Sequence, residues 1–419
     1  MTDPAPAPGR DRALAFIESN MTGTGVQALR LARDMGLNPL FVTNGMEKYE
    51  TDPATAGAIR ELAAGIRVCD TQDPDAVEKE LRAHTLPVCG VVTVMEYYVP
   101  LATEAARRLG LPGLDPGAAQ DARNKLRTRE RCAAAGVPVP RFHFVLTEEE
   151  IDTALADTGL PCVVKPVDES ASIGVELCRT RAEVRAAVAG IAGSAVNSKG
   201  QARVPGALLE QCLFGPEVSV ETFTYDGRTH VLGVTDKLLG PTPHFVEFGH
   251  TFPSALGEQA GAAAAVAVSA LAAIGFDFGP AHVEAKLTPD GPVLIEINAR
   301  TGGDFIPDLV EHALGVALLE QSLRAHSGER PDLEPVRRRG AAIRFLAGRD
   351  GTVREVPDAG ILEHFPAVVA HRVKAVAGQT TTWPANSHQR LGHVMAVADT
   401  AAQAAAAAEA ALCHLAPRY

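Results

Sequence analysis

The chain has 419 residues, 46% hydrophobic and 21% charged, which suits a folded protein of two or three domains rather than a single core or a disordered chain. A net charge of −12 with one basic run, Arg337-Arg338-Arg339, argues against nucleic-acid binding, and no apolar run is long enough to span a bilayer. The seven cysteines (69, 89, 132, 162, 178, 212, 413) are odd in number and form no C-x-x-C pair, so reduced thiols in a cytoplasmic setting are expected and a zinc site is not.

Residues 1–10 read as a short disordered tail without the apolar core of a signal peptide. Strands are expected at Ala13–Ile17, Leu40–Thr43, Ile66–Val68 and Val88–Val94, with helices at Val26–Met35, Pro74–Ala83 and Val99–Leu109. That alternation predicts a parallel α/β sheet. Gly23-Thr-Gly25-Val-Gln-Ala28 fits G-x-G-x-x-A, but Gly23 lies six residues past Ile17 and no acidic residue ends the second strand. It reads either as amides at a helix N-terminus that hold a substrate carboxylate, with Gly23 and Gly25 as contacts, or as a plain βα turn. Glu96, at a strand end, is placed to meet a substrate amine; a solvated loop residue is the alternative.

One helical stretch is expected from Asp115 to Ala135, stopped by Gly136, with Pro138 and Pro140 marking a junction. Strands follow at Phe142–Leu146, Cys162–Lys165 and Glu176–Cys178, and helices at Glu148–Thr158 and Thr180–Ile191. Lys165 ends a buried strand, where an unpaired lysine is costly. Between Asp168 and Gly174 runs a small-residue loop, and Val196–Val204 reads as polar and mobile. Leu208–Leu213, Val218–Thr224 and His230–Thr235 are expected strands, the last two around Asp226-Gly227. His244–Pro253 is expected as a loop, with Glu247 as a substrate contact and His250 as a secondary catalytic candidate or a surface histidine. Gln259–Ile274, Val310–Ala325 and the Ala-rich Thr400–Leu415 are expected helices, with strands and turns from Arg339.

The stretch His282–Asp304, HVEAKLTPDGPVLIEINARTGGD, organises the rest. Two alternating runs flank a Pro-Asp-Gly-Pro turn, which predicts an antiparallel hairpin. Glu284 then lies near Glu296, with Asn298 two residues on along the same face. Two carboxylates and an amide oxygen suit Mg²⁺, and Arg300 beside them would let the site hold a triphosphate. The alternative is one solvated face of a strand pair. If Glu284 and Glu296 both hold Mg²⁺, Glu296→Gln should lose ATP turnover yet keep the fold, with melting little changed or even raised by relief of carboxylate repulsion.

There is no G-x-x-x-x-G-K-[ST] or H-R-D motif, so P-loop and kinase chemistry is excluded. Two lysines about 40 residues apart, a small-residue loop, E-Q-x-x-x-G-x-E and the E…E-x-N-x-R hairpin come in an order that resembles the ATP-grasp superfamily over residues 11–400. The resemblance implies an α/β ATP-grasp fold with an N-terminal Rossmann-like parallel α/β domain over 11–115. A helical connection over 116–137, a small ATP-lid subdomain over 138–207 and a C-terminal α+β domain over 208–419 would follow.

It also implies roles. Lys125 and Lys165 would contact ATP, although Lys125 could equally be an exposed helix lysine. Ser170, Ser172 and Gly174 would fold over the triphosphate. Glu210, Gln211 and Leu213 would form the adenine hinge and Glu217 would take the ribose hydroxyls. Glu284, Glu296 and Asn298 would hold one or two Mg²⁺, or Mn²⁺. Arg300 would face the reacting carboxylate and γ-phosphate as a catalytic and substrate residue, with Gly302 or Gly303 amides helping.

E-I-N-A-R-x-G-G-D-F-I, preceded by E-F-G-H-x-F-P, looks most like the L-amino acid ligases and related carboxylate–amine ligases. An ADP-forming ligase joining a small-molecule acid to an amine through an acyl phosphate is therefore expected, as a homodimer without nucleic-acid or membrane partners. The alternatives are a purine-pathway- or carboxylase-like ATP-grasp enzyme using formate or bicarbonate and, in another class, a nicotinamide-dependent oxidoreductase resting on Gly23–Ala28.

Overall fold

The computed structural model describes residues 11–21, 23–241 and 245–419. The tail expected over 1–10 and the first residue of the loop expected over 244–253 lie outside the described residues.

The first third alternates β1 (Ala13–Ile17), α1 (Thr24–Asp34), β2 (Asn38–Thr43), α2 (Pro53–Leu62), β3 (Gly65–Val68), α3 (Pro74–Arg82), β4 (Val88–Val92) and α4 (Val99–Leu109). The strands are parallel in the order β3-β2-β1-β4. All of β1 is buried, as a strand covered by helices on both faces must be. The chain leaves β1 toward β2 on one side and returns as β4 on the other. The C-terminal ends of β1 and β4 thus flank a switch point, where open α/β sheets bind ligands. A short 3₁₀ turn, Glu96–Tyr98, follows β4 there.

Helix α2 was not expected from the sequence, yet it starts as α3 does, with an Asp side chain capping and Pro in the first turn: Asp52-Pro53 and Asp73-Pro74. The helix expected over 115–135 is two: α5 (Pro116–Arg123) and α6 (Lys125–Ala134). Asn124 breaks it, because its side chain accepts from the Leu126 and Arg127 amides and caps α6.

A smaller antiparallel sheet follows, built from β5 (Phe142–Val145), α7 (Ile151–Thr158), β6 (Cys162–Lys165), β7 (Glu176–Cys178), α8 (Arg181–Ala192) and β8 (Ala207–Gln211), in the strand order β5-β8-β6-β7. The two helices cover its apolar face through Ile151, Ala154, Val184 and Val188. Strand pairing puts 207–211 in this sheet. The segment expected to be mobile, 196–204, carries a bridge between Val196 and Ala202 and is docked by side-chain bonds from Ser198, Gln201 and Arg203.

The remainder comprises β9 (Glu217–Tyr225), β10 (Arg228–Leu239), β11 (Glu247–Phe252), α9 (Gly257–Ala273), β12 (Gly279–Thr288), β13 (Gly291–Asn298), α10 (Ile306–Leu314), α11 (Leu318–His326), β14 (Gly340–Leu346), β15 (Gly351–Thr352), β16 (Val368–Val373), β17 (Thr380–Thr381), β18 (Gly392–Ala398) and α12 (Ala401–Cys413). Eight of these strands form one antiparallel sheet, β13-β12-β9-β10-β11-β14-β18-β16. The small residues of α9 (Ala263, Ala267, Ala270) let it lie close on one face, against Val218, Val220, Val283 and Ala285. On the opposite face α10 packs Leu309 and Val310 against Phe223 and Phe252. Two expectations are corrected. Residues 247–252 are a strand rather than a loop, paired on both sides by β10 and β14. The helix expected over 310–325 is two, parted at Gly315, whose φ of 79° ends α10 in the left-handed region. Among the described residues no helix is long and apolar enough to cross a membrane.

Candidate active site

The hairpin of β12 and β13 sets the geometry. Glu284 pairs directly with Glu296 and His282 with Asn298. Directly opposed residues share a face. Val283, Ala285 and Ile297 therefore face α9, and the polar set faces the other way.

Each carboxylate has its own cation. Lys237 Nζ donates to Glu284 Oε1 (2.8 Å) and lies 2.8 Å from Glu217 and 3.5 Å from Glu247. His282 bonds Glu284 through Nε2 (3.1 Å) and Glu221 through Nδ1 (3.0 Å). Burial alone would lower the His282 pKa, but Glu221 and then Glu284 raise it to about 9, so both ring nitrogens donate at neutral pH. Burial likewise opposes ionisation of Glu284, and Lys237 and His282 outweigh it, holding this carboxyl well below the usual range. Glu217 lies in the same ladder, its oxygens taken by Lys237 (2.8 Å) and Lys286 (3.1 Å).

The two lysines singled out from the sequence are both buried. Lys125 opens α6, and its Nζ reaches Glu296 Oε1 (2.7 Å) and the Glu169 carbonyl (2.7 Å). Lys165 ends β6, and its Nζ meets Glu210 Oε2 (2.7 Å). Arg129, one turn beyond Lys125, donates to Glu210 Oε1 (2.7 Å) and to the Ile295 carbonyl (2.6 Å). Helix α6 thus ties the small sheet to the hairpin. Gln211 and Leu213 follow Glu210 half-buried. In the 168–174 loop, Ala171, Ser172 and Gly174 all have φ between 55° and 71°. Left-handed alanine and serine are uncommon and cluster at ligand clamps. Ser172 is exposed, whereas Ser170 donates to Glu96 Oε2 (2.6 Å).

Beyond the hairpin, Arg300 donates to the Thr301 carbonyl (2.8 Å), Glu96 Oε2 (3.2 Å) and Asn298 Oδ1 (3.5 Å). A Cβ at Gly302 would meet His282 Nδ1 at 2.9 Å, so this glycine is required by packing, whereas Gly303 faces open space. Asp304 and Phe305 then adopt consecutive left-handed conformations. Arg390 grips Asp304 with two bonds (2.6 and 2.7 Å). His250 is buried in β11 with both ring nitrogens lacking a hydrogen-bond partner and Nε2 3.6 Å from Asp304. Glu247 accepts from Ser387 (3.1 Å).

Gly23 and Gly25 have a local explanation. A Cβ at Gly25 would meet Ser19 Oγ at 1.8 Å, and the Gly25 amide already donates to Asn20 Oδ1 (3.1 Å). Among the described residues no hydrogen bond links this loop to the hairpin.

The match to known proteins follows this geometry. An ATP-grasp N-terminal domain matches residues 29–113, an ATP-grasp domain 158–308 and L-amino acid ligase C-terminal domain 2 residues 344–419. The uncharacterized protein y4rH of Sinorhizobium fredii (strain NBRC 101917 / NGR234) is 30% identical over 397 residues, 94% of this chain and 80% of that protein. The crystal structure of L-amino acid ligase from Bacillus licheniformis superposes with a TM-score of 0.78 at 25% identity, covering 98% of this chain and 99% of that one. This chain belongs to the ATP-grasp superfamily. Within it the chain is amino acid ligase-like. Carnosine synthase 1 of Mus musculus is 30% identical over 272 residues, but this chain spans only 32% of its length.

For an ATP-grasp protein the donor set fits a divalent cation bound with nucleotide. Among the described residues no three His, Cys, Asp or Glu side chains converge to hold a metal alone. Two opposed carboxylates and a buried amide are instead a partial set of hard oxygens. Mg²⁺ is commonly held in this way, through one or two carboxylates with phosphate oxygens and water completing the shell.

Sequence reasoning missed Arg129, Lys237, Glu221, Arg123 and Arg390. Arg129 was legible: it lies four residues after Lys125 on one helix face. Lys237 was partly legible, by counting strand pairs back from Asp226-Gly227, but a bulge between Val231 and Gly233 shifts that register. Arg390 meets Asp304 across 86 residues and left no local signal.

Proposed function

We propose that this protein is an ADP-forming ligase that activates a carboxylate as its acyl phosphate and couples it to an amine, with amino acids as substrates. The observation that carries this reading is the hairpin register, which sets Glu284 opposite Glu296 with Asn298 and Arg300 at its end. The match of residues 344–419 to an L-amino acid ligase domain supports amino acids as the substrates.

ATP is a substrate in this reading. Lys125 and Lys165 are the cations for its phosphates, and the 168–174 loop covers them. Glu284, Glu296 and Asn298 would hold Mg²⁺, which when bound neutralises phosphate oxygens. A substrate carboxylate oxygen attacks the γ-phosphorus, and the bond to the ADP oxygen breaks. The amine nitrogen then attacks the acyl carbon, phosphate leaves, and the nitrogen loses a proton. Arg300, always charged and forked, stabilises the oxyanion of that second step. Excluding water protects the acyl phosphate, which gives the loop its purpose.

A screen of phosphate release over pairs of L-amino acids, with mass spectrometry of the product, tests this. Release requiring two amino acids, with a condensed product, supports it. Release requiring bicarbonate or formate would replace it, and NADH binding with indifference to ATP would abolish it.

A further inference from the structure

Glu96 is only 5% exposed, and both its oxygens are occupied. Oε1 accepts from Arg123 Nη1 (3.3 Å), and Oε2 accepts from Ser170 Oγ (2.6 Å) and Arg300 Nη2 (3.2 Å). Three protein donors thus hold the carboxylate that the sequence placed near a substrate amine. Its three donors come from three places: helix α5, the 168–174 loop and the segment after the catalytic hairpin.

The neighbouring bonds tie the start of that loop to the same turn. Tyr97 OH donates to Glu169 Oε2 (2.8 Å) and accepts from the Ser170 amide (3.1 Å). Arg123 donates to the Asp168 carbonyl and stacks 4.5 Å over the Tyr97 ring. On the other side, one Arg300 nitrogen rests on the same Glu96 oxygen that Ser170 binds. Were the loop to lift, Ser170 would leave that oxygen and Arg123 would lose its loop carbonyl, so the carboxylate that orients Arg300 would lose one of its three donors and the anchor of a second. A buried ion held by few partners responds strongly to the loss of one.

We propose that Glu96 is a positioning residue that transmits docking of the 168–174 loop, through Ser170, to Arg300, so that Arg300 is aimed for amide formation only while the loop is down. This rests on the ligase reading above. With the link cut, the acyl phosphate forms beside an unaimed Arg300 and an undocked loop. Water oxygen then attacks the acyl carbon, the carbon–oxygen bond to phosphate breaks, a proton passes to solvent, and the acid is regenerated at the expense of ATP.

The test uses the full chain with Ser170→Ala, Ser170→Thr and Glu96→Gln. On the amino acid pair turned over fastest by the wild type, phosphate released per product formed is about one. In Ser170→Ala it rises to roughly three or more among folded molecules, and Ser170→Thr restores tight coupling. Glu96→Gln shows the same uncoupling. A ratio of one in Ser170→Ala overturns the proposal, as does a Glu96→Gln defect confined to the KM of the amine. A second arm needs no substrate. With the Mg²⁺ complex of AMP-PNP, hydrogen exchange in the wild type slows together at 168–174 and 299–303, whereas in Ser170→Ala only the loop is protected. Equal protection of both segments in that variant also overturns the proposal. A wild type that releases no phosphate with any amino acid pair would sink the ligase reading and leave this arm to decide.

Discussion

Glu284 and Glu296 face each other across the β12–β13 pair, yet neither is unbalanced: Lys237 and His282 hold the first and Lys125 the second. The repulsion that two adjacent carboxylates suggest is already cancelled. Three cations, from α6, β10 and β12 itself, balance the two carboxylates.

Glu296→Gln is therefore expected to lower stability rather than raise it. Lys125 loses its carboxylate but keeps the Glu169 carbonyl, so the loss is about 1–2 kcal/mol. Turnover falls by about 10² or more, because a transition-state charge partner is gone. Thermal melting and phosphate release on one sample check both. Normal turnover would remove the hairpin from the active site.

Arg300→Met should lower kcat by about 10²–10³ with little change in the KM for ATP, and Arg300→Lys should recover only part, since a point charge cannot make paired bonds. Were Arg300 merely the counter-charge of Glu96, the variant would melt lower but turn over near normally per folded molecule.

The Arg129–Glu210–Lys165 triad separates structure from binding. Removing Glu210 leaves two buried cations uncompensated, whereas Lys165→Met keeps the Arg129–Glu210 pair. Glu210→Gln should therefore cost about 3–5 kcal/mol in denaturant unfolding, and Lys165→Met clearly less. Titration calorimetry with ATP should show the reverse emphasis, with Lys165→Met the weaker binder among folded samples. Equal stability losses would contradict the assignment.

Glu18 gives a pH prediction remote from the hairpin. Its carboxylate is 2% exposed and accepts from Thr43, Asn44, Tyr49, Thr71 and Lys48. Burial would raise its pKa, but Lys48, Tyr49 and Asn44 together hold it below the ordinary 4.5. A depressed carboxyl stabilises the fold above its unfolded pKa, and that contribution is lost as pH falls through the folded value. Glu18→Gln should cost about 1–3 kcal/mol at pH 7, and the gap to wild type should shrink as pH falls below 4.5. A gap constant from pH 7 to pH 3 would contradict this.

The hairpin was legible from the alternating runs around Asp290-Gly291, but not its full register: the turn pairs Thr288 with Gly291, and a bulge between Glu284 and Ala285 is what brings Glu284 opposite Glu296 and Val283 opposite Ile297. The parallel sheet was legible from its apolar runs. Helix α2 was missed because its Ala- and Thr-rich core (PATAGAIREL) has a weak apolar stripe, although Asp52-Pro53 marks its start. Strand β11 was read as a loop because Glu247, Gly249 and His250 break the apolar pattern; in the sheet, Glu247 is met by Lys237, Ser387 and Arg390 from distant segments. Such pairings depend on tertiary register, which local spacing does not encode.

The most direct test of the central claim is the stoichiometry of one reaction: purified full chain, ATP and Mg²⁺, with pairs of L-amino acids, following phosphate and product together. The account predicts phosphate release that needs both amino acids and equals, mole for mole, a product whose mass is the sum of the two less one water. Phosphate release with bicarbonate or formate in place of the amino acids, or none with any pair, would contradict it.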